Sequence, residues 1–334
     1  MSKHCMIVGA GIAGVIAARR LLKQDWQVTL LEKSKGFGGR MATRRIENAT
    51  FDHGAQYFTI HSMFFRALAE KMQDDGIVKE WARGFLNGDR ILSLDGYLRL
   101  MAPEGMSSVV KYLAEPLLEL ADVKLNQEVS ELKQQGTSWQ VTCKSGLQIK
   151  TDAVILTPPL PQALSLLQTS GLELDEKQLA RLKELKYDPC LTTLVTLDGP
   201  SGIAEPGAIS NTDPMSPIAW LADNKIKGLS AVDCVTIQAT SHFSRKYWKS
   251  DREEAAELLW QAAKHYVQSE KLSSQIHGWR YARPQSILPE DYLSVSQVPP
   301  LLLAGDAFGD EFHPIEGAAL SGLEAAKFLD KTFT

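Results

Sequence analysis

Cysteine is scarce in this 334-residue chain. There are four, Cys5, Cys143, Cys190 and Cys234, with no C-x-x-C pair and no neighbouring Cys or His at zinc spacing. That excludes a zinc ribbon, a disulfide-rich secreted scaffold and a dithiol redox centre, and no metal site is expected. The four read as small buried hydrophobes in a reducing, cytoplasmic compartment. No apolar run reaches the ~18 residues of a membrane span. The stretch from Cys5 to Ala18 is apolar, but no strong positive region precedes it and Arg19-Arg20 follow directly. It therefore reads as a glycine-spaced structural segment and not as a signal peptide. Neither sign of charge dominates: Lys plus Arg is 36, Asp plus Glu is 40, and the formal charge is −4. A basic face for nucleic acid and a polybasic membrane anchor are both disfavoured. Internal repeats and low-complexity tracts are missing too. What remains is 44% hydrophobic and 23% charged, the balance of a globular protein. Its length suits two domains at about 150 residues each.

The N-terminus carries the clearest pattern. Cys5-Met6-Ile7-Val8 reads as a short buried strand, residues 12–24 as a helix, and Trp26 to Leu31 as a second strand ending at Glu32. This is a β-α-β unit and implies a parallel sheet. Residues 33–45 form a glycine-rich basic loop, and a mixed stretch leads to Pro103. A helix is expected over 107–120. From 123 to 156 the apolar period becomes two, as an antiparallel meander followed by the strand Ala153 to Leu156. Thr157-Pro158-Pro159 ends that strand. Residues 162–185 read as largely helical, 190–240 as several strands, and 252–267 as an amphipathic helix. Pro299 to Ala304 is a last buried strand, with a final helix from about Gly317.

Gly9-x-Gly11-x-x-Gly14 lies between that first strand and helix, and Glu32 follows Gly14 by 18 residues. The first glycine permits a tight turn, the second lets backbone approach a pyrophosphate, and the third lets helix and sheet pack closely. The pyrophosphate sits at a helix N-terminus, where free N–H groups favour anions. A carboxylate at Glu32 accepts from adenosine ribose hydroxyls. The alternative is a chance glycine turn with Glu32 as a solvated charge. A second glycine loop, Gly36-x-Gly38-Gly39-Arg40, suits a deeply bound dinucleotide, with Arg40 neutralising diphosphate. Gly305-Asp306 ends the last strand, so its carboxylate can bond a ribityl chain or ribose. Glu316-Gly317-Ala318 opens the final helix, whose N–H groups suit the pyrimidine end of a flavin. No second G-x-G-x-x-G is present, so a separate nicotinamide-binding domain is not expected.

These glycine and acid motifs, with Thr157-x-Pro159 and Gly317-Ala318-x-x-Ser321-Gly322, resemble the FAD-dependent amine-oxidase-like superfamily. More narrowly, Asp52-His53-Gly54-Ala55-Gln56-Tyr57-Phe58-Thr59 is similar to the D-x-G-A-Q-Y-F-T stretch of bacterial renalases. So are Gly105-Met106-Ser107, Trp220-Leu221-Ala222-x-Asn224, Ala239-Thr240-Ser241-x-x-Ser244-Arg245 and Trp279-x-Tyr281-Ala282-Arg283-Pro284. The likeness runs through nearly the whole chain in order. His53 departs from it, standing where an apolar residue is expected. The segment 307–315 also departs, its Pro314-x-x-Gly317 resembling flavin hydroxylases.

The resemblance implies an α/β fold: a Rossmann-type FAD-binding domain of residues 1–60, 97–160 and 295–334, with an inserted α+β substrate domain of 61–96 and 161–294. It also implies non-covalent FAD and hydride removal from aberrant isomers of reduced NAD(P), with dioxygen reoxidising the flavin to give hydrogen peroxide. Implied cofactor contacts are Gly9, Gly11, Ile12, Ala13 and Gly14; Glu32 and Lys33; Gly38, Gly39, Arg40 and Met41; and His53, Gly54, Ala55 and Gln56. Val129, Thr157, Pro158, Pro159, Gly305, Asp306, Glu316, Gly317 and Ala318 complete that set. Hydride transfer from a dihydropyridine needs no general base, so catalytic residues orient and tune. Candidates are Gln56 and Tyr57, with Trp220 and Asn224 opposite. Arg283 suits a substrate phosphate or carboxylate, or a structural ion pair. His242 is a polar site among aromatics or a structural histidine. Rival readings are an amine oxidase or desaturase and a non-catalytic flavin module. A flavin monooxygenase is a further rival, disfavoured because Asp152 to Pro159 lacks an Asp-Gly pair.

Overall fold

A computed structural model describes residues 3–310 and 312–333. From the N-terminus the elements are β1 (His4–Val8), α1 (Ile12–Leu22), β2 (Gln27–Leu31), β3 (Thr43–Ile46), β4 (Ala49–Asp52), α2 (Met63–Asp74), β5 (Lys79–Leu86) and β6 (Leu92–Met101). Then come α3 (Ser107–Leu120), β7 (Asp122–Lys124), β8 (Val129–Gln135), β9 (Ser138–Cys143), β10 (Gln148–Thr151), β11 (Ala153–Leu156), α4 (Leu160–Thr169) and α5 (Glu176–Glu184). The remainder is β12 (Tyr187–Leu197), β13 (Ala208–Ser210), β14 (Ile218–Asp223), β15 (Cys234–Ala239), α6 (Ser241–Tyr247), α7 (Arg252–Ala263), β16 (Lys271–Pro284), β17 (Leu293–Gln297), β18 (Pro300–Leu303) and α8 (Pro314–Thr332).

The chain divides into two units, each assembled from separate segments. The first comprises residues 1–39, 110–186 and 284–334, and the second 40–109 and 187–283. Residues 40–60 and 97–109 thus belong to the second unit, and 161–186 and 284–294 to the first, which differs from the sequence-based limits. The reason is pairing. β3, β4 and β6 find their strand partners in the second unit, whereas β17 pairs with β18 in the first.

In the first unit six strands lie in the order β17-β18-β11-β1-β2-β7, parallel except for the edge strand β17. β1 is central, and Cys5, Met6 and Ile7 in it are fully buried. Such a strand has no polar face and reads as a continuous apolar run. The first and last sequence-predicted strands, β1 and β18, both flank β11. β8, β9 and β10 make the expected antiparallel meander, but β7 pairs in parallel with β2 and belongs to the main sheet. Val123 and Leu125 alternate with polar residues as meander strands do, so period alone misassigned them.

α1 is buried almost all round, from Ile12 to Ala18. Its small residues permit close contact with α8, where a Cβ at Gly322 would overlap the Ala13 carbonyl. The predicted helix over 162–185 is two helices, α4 and α5, and α8 starts three residues before Gly317, at Pro314.

The second unit is built on seven strands in the order β16-β12-β15-β14-β13-β5-β6, with the β3–β4 ribbon beside it. α7 is capped by Asp251, whose carboxylate accepts from the Glu253 and Glu254 N–H groups at 2.8 and 3.1 Å. It buries Ala255, Leu259, Trp260 and Ala263 against Leu191, Val195, Val235 and Ile237. Residues 46–103, left as a mixed stretch by sequence, hold β4, α2, β5 and β6. Register shifts in the β5–β6 pairing break the alternation that would have revealed those two strands.

All four cysteines are free, and burial raises the Cys190 and Cys234 thiols to about 11. Among the described residues no helix is long and apolar enough to cross a membrane.

Replacing Gly322 by Val is expected to destabilise the first unit by about 3 kcal/mol, as overpacking of a close helix contact does. Urea unfolding of the purified variant measures the loss.

Candidate active site

In the first unit the carboxyl ends of β1, β11 and β18 converge. Gly9 has φ +108°, a conformation other residues rarely adopt, and a Cβ there would lie 2.5 Å from the Thr157 hydroxyl. Thr157 Oγ1 donates to the Val8 carbonyl at 2.9 Å and lies 3.3 Å from that of Gly9, tying β11 to β1. Gly305 lies beside the Thr157 carbonyl, and its N–H donates to Ser321 Oγ of α8 at 2.8 Å. A Cβ at Gly14 would overlap the Gly9 carbonyl, so only glycine lets α1 start this close to β1.

Gly11, the residue before α1, offers no capping side chain, and no acid stands in the first turn. A Cβ on Gly11 would meet nothing within 4 Å, while one on Gly39 would lie 3.4 Å from the Gly11 Cα. The two glycine loops therefore border one another, and the Gly38 N–H closes the junction by donating to the Ala10 carbonyl at 3.0 Å. Ile12 and Ala13 occupy the exposed-donor turn of α1 with buried side chains.

Glu32 is buried. Its two oxygens accept from Ala10 N–H and Ser34 N–H, each at 2.8 Å. Each oxygen retains a second lone pair, the capacity needed for ribose hydroxyls. A carboxylate for ribose, uncapped donors for pyrophosphate and a glycine cradle between them fit the adenosine diphosphate half of a dinucleotide. Pro158 and Pro159 lead into α4, with Pro159 at its N-cap, and Val129 begins β8, half-buried. Asp306 follows Gly305, while Glu316, Gly317 and Ala318 are buried in the first turns of α8. Lys33 is exposed and donates to Gln162 Oε1 at 3.1 Å.

In the second unit a charged network lies beneath Asp52 to Tyr57. Lys227 and Asp52 are fully buried, with Nζ 2.9 Å from Asp52 Oδ2. The ammonium also donates to the Gln56 carbonyl at 2.7 Å and reaches Gln56 Oε1 at 3.4 Å. The other Asp52 oxygen accepts from Thr43 Oγ1 at 2.7 Å and from Met106 N–H at 2.8 Å. Burial pulls the Lys227 pKa down while Asp52 pushes it back up. Gln56, expected to act on substrate, uses its amide to bond the Asp52 carbonyl at 2.5 Å and so braces the loop. Arg40, expected at a diphosphate, bonds the main-chain carbonyls of Tyr281 and Ala282 at 3.2 and 3.5 Å. The Arg40 carbonyl accepts from Ala55 N–H at 2.9 Å, and a Cβ at Gly54 would overlap it. Met41 is buried beside that segment in sequence.

Tyr57 stands in an aromatic cluster with Trp81, Phe85 and Trp220. Its centroid is 5.3 Å from Phe85 and 5.8 Å from Trp220, and Phe85 meets Trp220 edge-on at 4.7 Å. Arg99 lies 5.1 Å from the Phe85 ring and 5.6 Å from Tyr57, while Lys227 lies 4.7 Å from Trp81. The Arg99 guanidinium is paired with Asp95, and the hydrogen bond to that carboxylate raises its pKa. Two N–H groups here, Trp220 Nε1 and Arg99 Nε, are buried without a hydrogen-bond partner among the described residues.

Sequence reading named Tyr57 and Trp220 but missed Trp81, Phe85, Arg99 and Lys227. Trp81 and Phe85 were hidden in the bulged β5, and Lys227 lies 175 residues from its partner. Asn224 does not join the cluster's contacts. It is fully buried, its amide bonding Thr236 Oγ1 at 3.1 Å and its carbonyl accepting from Leu229 and Ser230 N–H in a turn. His242 and Arg283 are exposed, on α6 and at the end of β16.

His53 is buried, stacked on Trp279 at 5.2 Å and edge-on to His277 at 4.7 Å. Burial, then His277 and Arg44, pushes its pKa down to about 3. The folded protein thus resists a proton that the unfolded chain accepts near 6.5. Stability associated with His53 is full above pH 6.5 and falls as pH drops toward 3. His53→Asn is expected to flatten the fall in unfolding free energy over that window, read by urea unfolding at stepped pH. Lys227→Met is expected to cost about 3–5 kcal/mol by stranding Asp52. Lys227→Met combined with Asp52→Asn recovers part of it in the same assay.

Comparison with known proteins agrees with this geometry. Residues 7–70 match the NAD(P)-binding Rossmann-like domain, and residues 78–328 match the flavin containing amine oxidoreductases. The renalase of Mus musculus is 25% identical over 340 residues, covering 96% of this chain and 98% of its own. A solved structure from Exiguobacterium sp. 255-15, assigned as a protoporphyrinogen oxidase, superposes with TM-score 0.74 at 14% identity, covering 99% of both chains. Putrescine oxidase bound to putrescine gives 0.72 at 14%, covering 98% of this chain and 99% of its own. The chain belongs to the flavin containing amine oxidoreductase family, as a renalase-like FAD-dependent oxidoreductase.

Proposed function

We propose that this oxidoreductase takes a hydride from aberrant isomers of reduced NAD(P), leaving ordinary oxidised NAD(P), and passes the two electrons to dioxygen as hydrogen peroxide. A bound FAD supplies the two-electron acceptor; Gly9, Gly11, Gly14, Gly38, Gly39 and Glu32 would hold its adenosine diphosphate half without a covalent link. The observation that carries the reading is the aromatic cluster of the second unit with its two unpartnered N–H groups.

A dihydronicotinamide is a flat, neutral ring with a carboxamide oxygen. The rings of Tyr57, Trp81 and Trp220 offer it a wall, and Trp220 Nε1 and Arg99 Nε offer donors to that oxygen. A buried donor left unbonded carries a desolvation cost of about 1–3 kcal/mol, which an accepting ligand removes. Both carboxylates beside the cluster, Asp52 and Asp95, are already ion-paired. An alkylammonium would find no uncommitted counter-charge there. No proton need be abstracted when hydride leaves a dihydropyridine, so the residues serve to bind and orient.

Anaerobic stopped-flow absorbance tests the reading. Isomeric dihydronicotinamide dinucleotides are expected to bleach the oxidised-flavin band near roughly 450 nm, and a panel of amines is not. Trp220→Phe, which keeps the ring and loses the donor, is expected to raise KM about five- to tenfold with kcat little changed. Bleaching by amines alone would overturn the substrate assignment. Heat denaturation is expected to release the flavin into the supernatant.

A further inference from the structure

The second unit has a wide-mouthed concavity of about 420 Å³, lined by Tyr187, Pro189, Arg245, Lys246, Trp248, Lys249, Arg280 and Tyr281. It lies where β12 and the edge strand β16 meet α6 and the residues just after it. Its size falls within the range of small-ligand sites. Four of its eight lining residues are cations and none is a carboxylate, on a chain whose net charge is −4. Arg245 is paired with Asp188, whereas Lys246, Lys249 and Arg280 form no ion pair among the described residues.

The excess of positive charge continues behind the pocket. The Arg252 guanidinium lies 4.8 Å from the Trp248 ring, and its Nη1 is buried without a hydrogen-bond partner among the described residues. Arg252 and Arg44 also help hold the nearby His277 imidazole neutral, adding to its burial. A site with uncompensated cations and three aromatic faces, Tyr187, Trp248 and Tyr281, suits a ligand that joins an anion to a flat ring.

We propose that this pocket binds a nucleoside phosphate, the phosphate against Lys249 and Arg280 and the base against Trp248 and Tyr281. The site is separate from the aromatic cluster around Tyr57 and Trp220, and the proposal does not depend on which substrate is oxidised. The shared chemistry is a nucleoside monophosphate, supplied either free or as the end of a dinucleotide, and AMP serves as its probe.

Isothermal titration of the FAD-loaded protein with AMP tests it, because loaded protein has its dinucleotide crevice filled. AMP is expected to bind with one site per chain. Adenosine and inorganic phosphate are each expected to bind about tenfold or more weakly, the loss of one charge-assisted or stacking contact. Lys249→Glu with Arg280→Glu is expected to weaken AMP by at least about tenfold, with flavin content unchanged. Competition by oxidised NAD would identify a dinucleotide end as an occupant, and its absence a free mononucleotide. Failure of AMP to bind, wild-type affinity in the double variant, or phosphate binding as well as AMP would each overturn the proposal.

Discussion

A lysine ammonium with no access to water governs the second unit. Lys227 and Asp52 come from segments 175 residues apart, and neither retains exposed side-chain surface. Isolated, each charge would cost several kcal/mol to bury, so the fold must surround them with partners. It does so with Thr43 Oγ1, Met106 N–H and the Gln56 carbonyl, which belong to four different stretches of chain when Lys227 is counted. The loop from Asp52 to Tyr57 has little freedom left once those bonds are made. Tyr57 leaves that loop directly into the aromatic cluster, so the rings inherit their position from the ion pair.

The first unit solves a different problem, backbone crowding. Thr157 sits against Gly9, Gly14 against the Gly9 carbonyl, and Gly322 against Ala13. Three side-chain-free positions let α1 enter between the strand ends and α8, and the same absence of side chains leaves the helix N-terminus open to an anion. Gly322 stood in the Gly317-Ala318-x-x-Ser321-Gly322 motif of the last helix, whereas the close packing at Gly9 and Gly14 was legible in the Gly9-x-Gly11-x-x-Gly14 spacing. Glu32 was legible for the same reason. It ends a strand whose partner turn it must cap, and it does so with bonds to Ala10 and Ser34.

The second unit was much less legible. Its chemistry is made by pairings distant in sequence, and single-chain periodicity carries no sign of them. Gln56 and Asn224 stood in motifs and were expected to face substrate, yet both spend their amides on main chain and neighbours. Arg40 looked like a diphosphate ligand because it follows two glycines, but its guanidinium bonds the carbonyls of β16. A polar residue in a motif has two ways to be indispensable, through a ligand or through the backbone, and sequence does not separate them. Trp81 and Phe85 were invisible for a simpler reason: register shifts in the β5–β6 ribbon destroy the alternation that marks a half-buried strand.

Charge bears most directly on the choice of substrate within an amine-oxidase-like fold. An aliphatic amine is mostly a cation at neutral pH, since its pKa is near that of lysine, about 10.4. To enter among Tyr57, Trp81, Phe85 and Trp220 it must either lose that proton or find an anion. The faces of these rings already attract cations, but three of the four have one: Lys227 lies on Trp81 and Arg99 lies near Phe85 and Tyr57. Lys227 and Arg99 are each neutralised by their own carboxylate, so a third positive charge would find no uncommitted anion there. A neutral acceptor meets the opposite situation, two buried N–H groups that lack a partner among the described residues. The same constellation that discourages an ammonium therefore favours a neutral carboxamide, and this is the physical argument behind the proposed dihydropyridine substrate.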